Sequence, residues 1–410
     1  MEGVLVSLKE HDAVSANIAA ERERAIQLSL DLHADPELSL EEHRAAQRLQ
    51  AWLEEEGFVI EREVAGLPTA FVARHGQGRP AIAYLVEYDA LPGLGHACGH
   101  NLIAAGGALA AVTAKRSFPD HPGTIVVIGT PGEEDGGGKI IELDHGVFEG
   151  IDAALMFHPA DRTLLWRHAV AAGELTVQFH GVAAHAAKNP ESGRNALNAM
   201  LLLFHAIDSL RQHIGEKALI HGIITHGGTA ANVVPDFTEA SLLVRDVTVS
   251  KVEDLIDRVK ACAEGAAIAT GTRTSVLVSP QIYAERKNNR VLAGRLGEHL
   301  DPLGVSHEEP DQATPAGSSD IGNVSLVLPT IHPYLAVAPR GTPSHSTEFQ
   351  AAVGSPQAQE RMVLMAEALA RLGIDLLGSP TMVETAWREF HQSGPDLAGG
   401  HGPGQVASTA

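Results

Sequence analysis

Apolar and polar positions along the chain follow two different rhythms. Up to about residue 168, strand-like runs alternate with stretches of helical period. The runs are 70–74, 81–86, 124–129 and 153–157, and 81–86 and 124–129 are apolar enough to be buried strands. The helical stretches are 12–32, marked by Ile18, Ala19, Ile26, Leu28 and Leu30, then an Ala-rich run over 102–114, then 139–148. Between the first two, a Pro-containing turn over 33–39 leads into Ser39-Leu40-Glu41-Glu42. That tetrapeptide has capping-box character and predicts a helix running to about Glu56, stopped by Gly57. After residue 168 the order becomes strand (174–180), helix (195–214), two strands (218–225, 237–244), helix (250–269) and strand (274–278). This is the split βαβ order of a ferredoxin-like sandwich. From Gln281 the first rhythm resumes: a helix over 289–300, strands over 324–328 and 334–337, and a long helix over 350–377 with one Gly-Ser-Pro interruption.

The pattern therefore predicts a three-layer α/β domain in two pieces, 1–168 and 281–392, with an inserted α+β domain at 169–280. The stretch 393–410, rich in Gly, Ser and Pro, reads as a disordered tail, and His401 within it as a poor ligand.

Composition narrows the partners. The 410 residues carry a net charge of −21 spread along the chain, which argues against a nucleic-acid partner. Two cysteines, Cys98 and Cys262, are too few for a disulfide framework, so a reducing, cytoplasmic setting is expected. The N-terminal residues lack the basic start and apolar core of a signal peptide, and no apolar stretch reaches membrane-span length. The 22 histidines exceed what packing needs, so their positions matter.

Candidate chemistry falls just after the strands, where α/β proteins place their sites. Asp89, Cys98 and His100 follow the run 81–86; Glu133 and Glu134 follow 124–129; His158 follows 153–157; Asp320 and His345 follow in the returning piece. Each alone has an ordinary reading as a solvated loop, a capped histidine or a small buried thiol. Placed together, Cys, His and carboxylate suit zinc or a site that accepts manganese or cobalt. Of two adjacent glutamates, one can face a metal while the other serves as general base toward water. Cys98 with His100 could instead be a cysteine nucleophile and its base. Two residues apart on a Gly-containing turn, such a pair rarely aligns, and it leaves both glutamates without a role.

The segments Leu32-His33-Ala34-Asp35-Pro36-Glu37-Leu38-Ser39, Asp89-Ala90-Leu91-Pro92, His96-Ala97-Cys98-Gly99-His100-Asn101, Gly132-Glu133-Glu134, His185 to Asn195 and Pro343-Ser344-His345-Ser346-Thr347-Glu348-Phe349 resemble the M20 metallopeptidases. The likeness covers residues 33–377. It is nearest to the aminoacylase, hippurate-hydrolase, aminobenzoyl-glutamate-hydrolase and β-alanyl-lysine dipeptidase branch. It implies a di-metal exopeptidase-like catalytic domain with an inserted dimerisation and lid domain. It further implies two divalent ions (Zn, Mn or Co) held by Cys98, His100, Glu134, His158 and His345, with Glu133 as general base and acid. Asp89 would orient His100, as metal-bound imidazoles commonly require. His185 would stabilise the oxyanion, reaching the site of a partner subunit, and Asn232 and Arg245 would hold a substrate carboxylate. The expectation is thus a homodimeric hydrolase that cleaves an amide in a small N-acyl amino acid, aminobenzoyl-glutamate-like conjugate or dipeptide, using metal-activated water. Its partners would be a small molecule with a free carboxylate, not nucleic acid or membrane. A non-catalytic metal-binding scaffold of the same fold is the other alternative. Asn101 and Glu87 depart from residues common in relatives at those positions, and neither belongs to the implied ligand set.

Overall fold

The computed structural model describes residues 8–310 and 317–396. It divides into two compact units, one built from the chain up to His168 and again from Arg286, the other from Ala169–Glu285.

A six-stranded sheet organises the first unit, in the order Val59–Arg62, Phe71–Gln77, Gly123–Gly129, Ala81–Val86, Ala153–Leu155, Thr330–Ile331. The two strands at the Val59 edge run antiparallel to their neighbours, and the last four strands are mutually parallel. Successive side chains of a strand face opposite ways, so each central strand feeds two cores. Ile82, Tyr84 and Val86 pack with Leu32, Leu109, Met362 and Leu369 of the helices Leu8–Ala34, His100–Ser117 and Pro356–Gly378. Ala81, Ala83 and Leu85 pack with Phe148, Ile151, Ile321 and Val324 on the other face. These are the three layers the pattern predicts. Helix His100–Ser117 lies close on the sheet because it presents glycine there: a Cβ on Gly107 would sit 2.6 Å from a Val86 methyl. Because these last four strands are parallel, the loops after Val86, Gly129, Leu155 and Ile331 all open at one end of the sheet.

The second unit is an antiparallel sheet in the order Arg273–Val278, Ala171–His180, Phe237–Asp246, Leu219–His226. Helices Ala196–Leu210 and Val249–Thr270 cover it, burying Met200, Leu203, Val252 and Val259 against Leu175, Val177 and Phe179. Asn195 Oδ1 accepts the Leu197 N–H and Thr248 Oγ1 accepts the Lys251 N–H, so both helices start on side-chain caps. The chain order is the βαββαβ expected.

Several elements depart from the sequence pattern. Ser39 does not cap the second helix, which runs His43–Glu55. Its hydroxyl donates to Asp89 instead, and the buried Glu37 carboxylate accepts the Arg44 and Ala45 N–H groups. The expected strand over 324–328 is a short helix, Ile321–Ser325, continued by a turn, that buries Ile321, Val324 and Leu328 on the sheet at helical spacing. A short apolar run cannot be assigned to strand or helix by periodicity alone. Strand Val59–Arg62 is mostly exposed and carried no apolar signal. The break in the last long helix is real, dividing Thr347–Val353 from Pro356–Gly378. Residues 281–285 stay with the second unit, where Tyr283 and Ala172 exchange backbone hydrogen bonds and Glu285 accepts the Val249 N–H. Of the Gly-rich tail, the part up to Asp396 is tied down, since Asp396 accepts from Asn288 and pairs with Arg290 at 2.6 Å. His401 lies outside the described residues. Among those residues, no helix is long and apolar enough to cross a membrane.

Asp375 shows what holds the helical layer. Its buried carboxylate joins three elements, contacting His11 at 2.8 Å, His299 at 2.6 Å and Arg295 Nε at 2.6 Å. Burial opposes its charge, but the bonds to His11, His299 and Arg295 hold its pKa well below the ordinary carboxylate range. Asp375→Asn should therefore cost about 3 kcal/mol near neutral pH. A depressed carboxylate contributes in full above its unfolded pKa, about 3.9, and loses that contribution as pH falls. Denaturant midpoints of variant and wild type should accordingly differ at pH 7, with the gap starting to close below about pH 3.9 and closing fully only as pH falls through the lower folded value. An undiminished gap at pH 3 would rule the carboxylate out as the cause.

Candidate metal centre

Asp89 is the hub from which the edge of the sheet is assembled. It follows strand Ala81–Val86 and is 1% exposed. Its Oδ1 accepts the His100 Nδ1–H at 2.9 Å, and its Oδ2 accepts the Glu134 N–H at 2.9 Å and the Ser39 hydroxyl at 2.8 Å. Burial opposes ionisation, yet the charge and hydrogen bond of His100 keep its pKa well below the ordinary value. One carboxylate thereby fixes the first residue of a helix and the backbone of the next loop.

His100 opens helix His100–Ser117 after Gly99, whose φ is +85°. Glycine is needed there twice over, for the left-handed backbone and because a Cβ would meet Pro159 at 2.8 Å. With Nδ1–H committed to Asp89, Nε2 is the nitrogen left to face the surrounding carboxylates. It faces Glu87 Oε1 at 3.5 Å, Glu134 Oε1 at 3.8 Å and Glu133 Oε2 at 3.9 Å. Burial works against a charge on His100, but Glu87 and Asp89 raise its pKa well above the ordinary value.

The loop that carries the two glutamates is held from below by Glu42. This fully buried carboxylate accepts N–H groups from Gly132 and Leu40 and the Thr69 hydroxyl, each at 2.8 Å. Burial, then Asp89, pushes its pKa up to about 7. Glu133 is raised well above the usual range by burial and next by Glu87 and Glu134. Glu134 is lowered: burial opposes this, but His345 and His100 outweigh it.

His158 donates Nδ1–H to Pro159 O at 2.7 Å, which leaves Nε2 facing Cys98 Sγ at 3.4 Å. His345 is half exposed and has φ +58°; its N–H donates to Ala97 O, and its Nε2 lies 3.4 Å from Glu134 Oε1. Three overlapping trios have ligand atoms within 4.8 Å of one another: Cys98 with His100 and His158, Cys98 with Glu134 and His345, and His100 with Glu133 and Glu134.

These residues fit divalent cations. His100 Nε2, Glu134 Oε1 and Glu87 Oε1 are buried without a hydrogen-bond partner, which is costly unless a cation meets them. The nitrogens left free by the Asp89 and Pro159 bonds are the ones turned into the cluster. Burial, then Glu134, pushes the Cys98 thiol well up, so it becomes a thiolate only with a positive charge beside it.

The structure thus brings together Asp89, Cys98, His100, Glu133, Glu134, His158 and His345. The other three expected residues lie in the second unit. His185 and Asn232 are exposed on two paired loops, with Ala186 N–H donating to Asn232 O and a bridge between His185 and Val233. Both loops leave the sheet at its His180/Phe237 end. Arg245 sits at the other end of the same strand, paired with Ala172 and Leu219. At the usual rise per residue that is roughly 26 Å from Phe237. Two residues of the site were not singled out by sequence as taking part. Glu87 shares a strand-end face with Asp89 at i and i+2, a signal that was there to be read. Lys139, fully buried beneath the cluster, had none.

Residues 168–270 match the M20 peptidase dimerisation domain. The chain is 36% identical to the Xaa-Arg dipeptidase of Mus musculus, over 93% of this chain and 92% of that protein. It is 31% identical to a p-aminobenzoyl-glutamate hydrolase polypeptide of Escherichia coli strain K12, over 92% of this chain and 93% of that one. A dinuclear metal binding peptidase of the M20 family from Bacillus subtilis shares the fold, with a TM-score of 0.65 at 21% identity over 88% of this chain and 99% of that chain. Full-length identity at this level, together with the inserted dimerisation domain, establishes that the chain belongs to the M20 family and is a hydrolase of amide bonds.

Proposed function

We propose that the chain hydrolyses the amide of a small N-acyl amino acid, aminobenzoyl-glutamate-like conjugate or dipeptide that carries a free carboxylate. The observation that carries this reading is the convergence of Cys98, His100, Glu134, His158 and His345 around buried, unpartnered ligand atoms, with Glu133 beside them. Those five side chains would hold two divalent ions, of Zn, Mn or Co. When bound, such ions polarise an amide carbonyl and lower the pKa of water. Glu133 takes the proton of the attacking water at its carboxylate and returns it to the leaving nitrogen. Burial first, and then the charges of Glu87 and Glu134, raise its pKa above the usual carboxylate range, which makes it more basic than an exposed glutamate.

His185 stabilises the developing oxyanion, and Asn232 and Arg245 hold the substrate carboxylate. Within one copy of the second unit, Arg245 and the His185/Asn232 loops stand at opposite ends of the sheet. A single site that uses all three would draw them from two copies, which supports a homodimer. The dipeptidase and aminobenzoyl-glutamate hydrolase relatives support the substrate class.

The test is a panel of acyl-amino acids, aminobenzoyl-glutamate and dipeptides, each paired with its C-terminal amide, given to protein loaded with Mn, Zn or Co. Released amine is the readout. At least one free acid should be cleaved, and its amide should lose about 100-fold in kcat/KM, the worth of two charge-assisted hydrogen bonds. Equal rates on acid and amide would remove the carboxylate requirement. No turnover on any member with any of these metals would favour the scaffold reading.

A further inference from the structure

Beneath the cluster lies a buried charge chain that the ligand set above does not use. Lys139 Nζ donates to Glu87 Oε2 at 2.6 Å and to Asp320 Oδ1 at 2.8 Å, and Asp320 Oδ2 accepts the Lys139 N–H at 3.0 Å. All three side chains have zero exposure. Two carboxylates therefore share one ammonium, and a buried excess of negative charge calls for a second cation. Glu87 shows where it belongs. One oxygen is taken by Lys139, while Oε1 has no hydrogen-bond partner. That oxygen faces His100 Nε2, likewise unpartnered, at 3.5 Å. With His100 Nδ1–H committed to Asp89, Nε2 is the nitrogen turned to Glu87, and at this spacing a cation can take the place between the two atoms that no hydrogen bond fills. Ligand atoms about 2.1 Å from a tetrahedral ion stand roughly 3.4 Å apart, which is the spacing these two atoms have.

We propose that Glu87 is a further ligand of one of the two ions, shared with His100, and that Lys139 and Asp320 are positioning residues that aim its carboxylate. This rests on the metal reading above. The three come from three places in the chain: Glu87 directly after strand Ala81–Val86, Lys139 from helix Gly138–Asp144, and Asp320 from just before helix Ile321–Ser325. Only a folded sheet edge unites them. Added oxygen ligation favours harder ions, so Glu87 also biases that site towards manganese over zinc.

The test is calorimetric titration of chelator-stripped full-length protein with Mn²⁺, with metal content counted by mass spectrometry. Wild type should take up two ions. In Glu87→Gln one site should weaken 10- to 100-fold and the other keep its affinity. Glu87→Asp leaves Lys139 its counter-charge but withdraws the carboxylate by one methylene, and should show the same loss at the same site. The loss should be smaller for Zn²⁺. Two wild-type affinities in either folded variant would overturn the proposal, as would unfolding of both variants by circular dichroism, which would mark Glu87 as a structural counter-charge. A wild-type protein that binds no divalent ion would overturn the metal reading itself, and this proposal with it.

Discussion

Glu133→Gln should lower kcat/KM for the amide substrate by about three orders of magnitude while leaving metal content unchanged. Glutamine keeps the shape and buried position of the side chain but cannot take a proton from water or deliver one to an amine. Glu133 lies 3.9 Å from His100 Nε2, close enough to act where the ligand atoms converge. Loss of the charge should not harm the fold. Burial first, and then the charges of Glu87 and Glu134, already disfavour a charge on Glu133, so a neutral side chain there is no strain on the fold. The melting temperature is expected to stay level or rise. This combination separates a proton carrier from a ligand: removing a ligand lowers metal occupancy, whereas removing a proton carrier leaves it intact. Activity within tenfold of wild type, with both ions in place, would sink the assignment. So would loss of metal, which would move Glu133 into the ligand set.

How far the site was legible in the sequence depends on which physical signal each residue left. The loops after 81–86, 124–129 and 153–157 were legible because buried parallel strands leave apolar runs, and the polar residues that follow them must gather at one edge. That reasoning placed Asp89, Cys98, His100, Glu133, Glu134 and His158 correctly at a common edge. The βαββαβ insert was legible for the same reason, from a change of rhythm at about residue 168. What stayed hidden was mostly the work of buried polar groups. Ser39 looked like a helix cap but serves Asp89, because a buried carboxylate is the stronger acceptor. Glu42 looked like part of a capping box but braces the glutamate loop from below. Lys139 was read only as the start of a helical stretch over 139–148, though its ammonium is wholly buried. Short runs such as 324–328 failed for want of length, since five residues fit a strand or a helix turn equally well. The roles expected of His185, Asn232 and Arg245 rest on the family resemblance, because exposed loops and a strand end carry no periodic signal of their own.

Asp89→Asn tests whether this edge is held by one carboxylate. Asp89 acts only as an acceptor, towards His100 Nδ1–H on one oxygen and towards Ser39 Oγ–H and Glu134 N–H on the other. Asparagine offers one oxygen and one NH₂, so one side of the hub must turn donor against donor. If the NH₂ faces His100, the ring is driven to the other tautomer and its Nε2 acquires a proton, erasing the lone pair turned towards Glu87 and Glu134. If it faces the loop, the Glu134 N–H loses its acceptor while buried, at about 1–3 kcal/mol, and Glu134 shifts. Both outcomes weaken metal binding, by about 10- to 100-fold. They differ in what excess metal restores. A wrong tautomer is driven back by mass action, so activity should recover as Mn²⁺ rises. A displaced Glu134 loop should leave kcat depressed at saturation, with a lowered melting temperature. Ser39→Ala supplies the control, because it removes one donor to the hub without reversing any bond, and should change metal affinity less than threefold. Wild-type affinity in Asp89→Asn would mean that Pro159, Ala97 and the helix start hold the cluster without the hub. The bonds converging on Asp89 from three separate segments, all within 3 Å, argue that they do not.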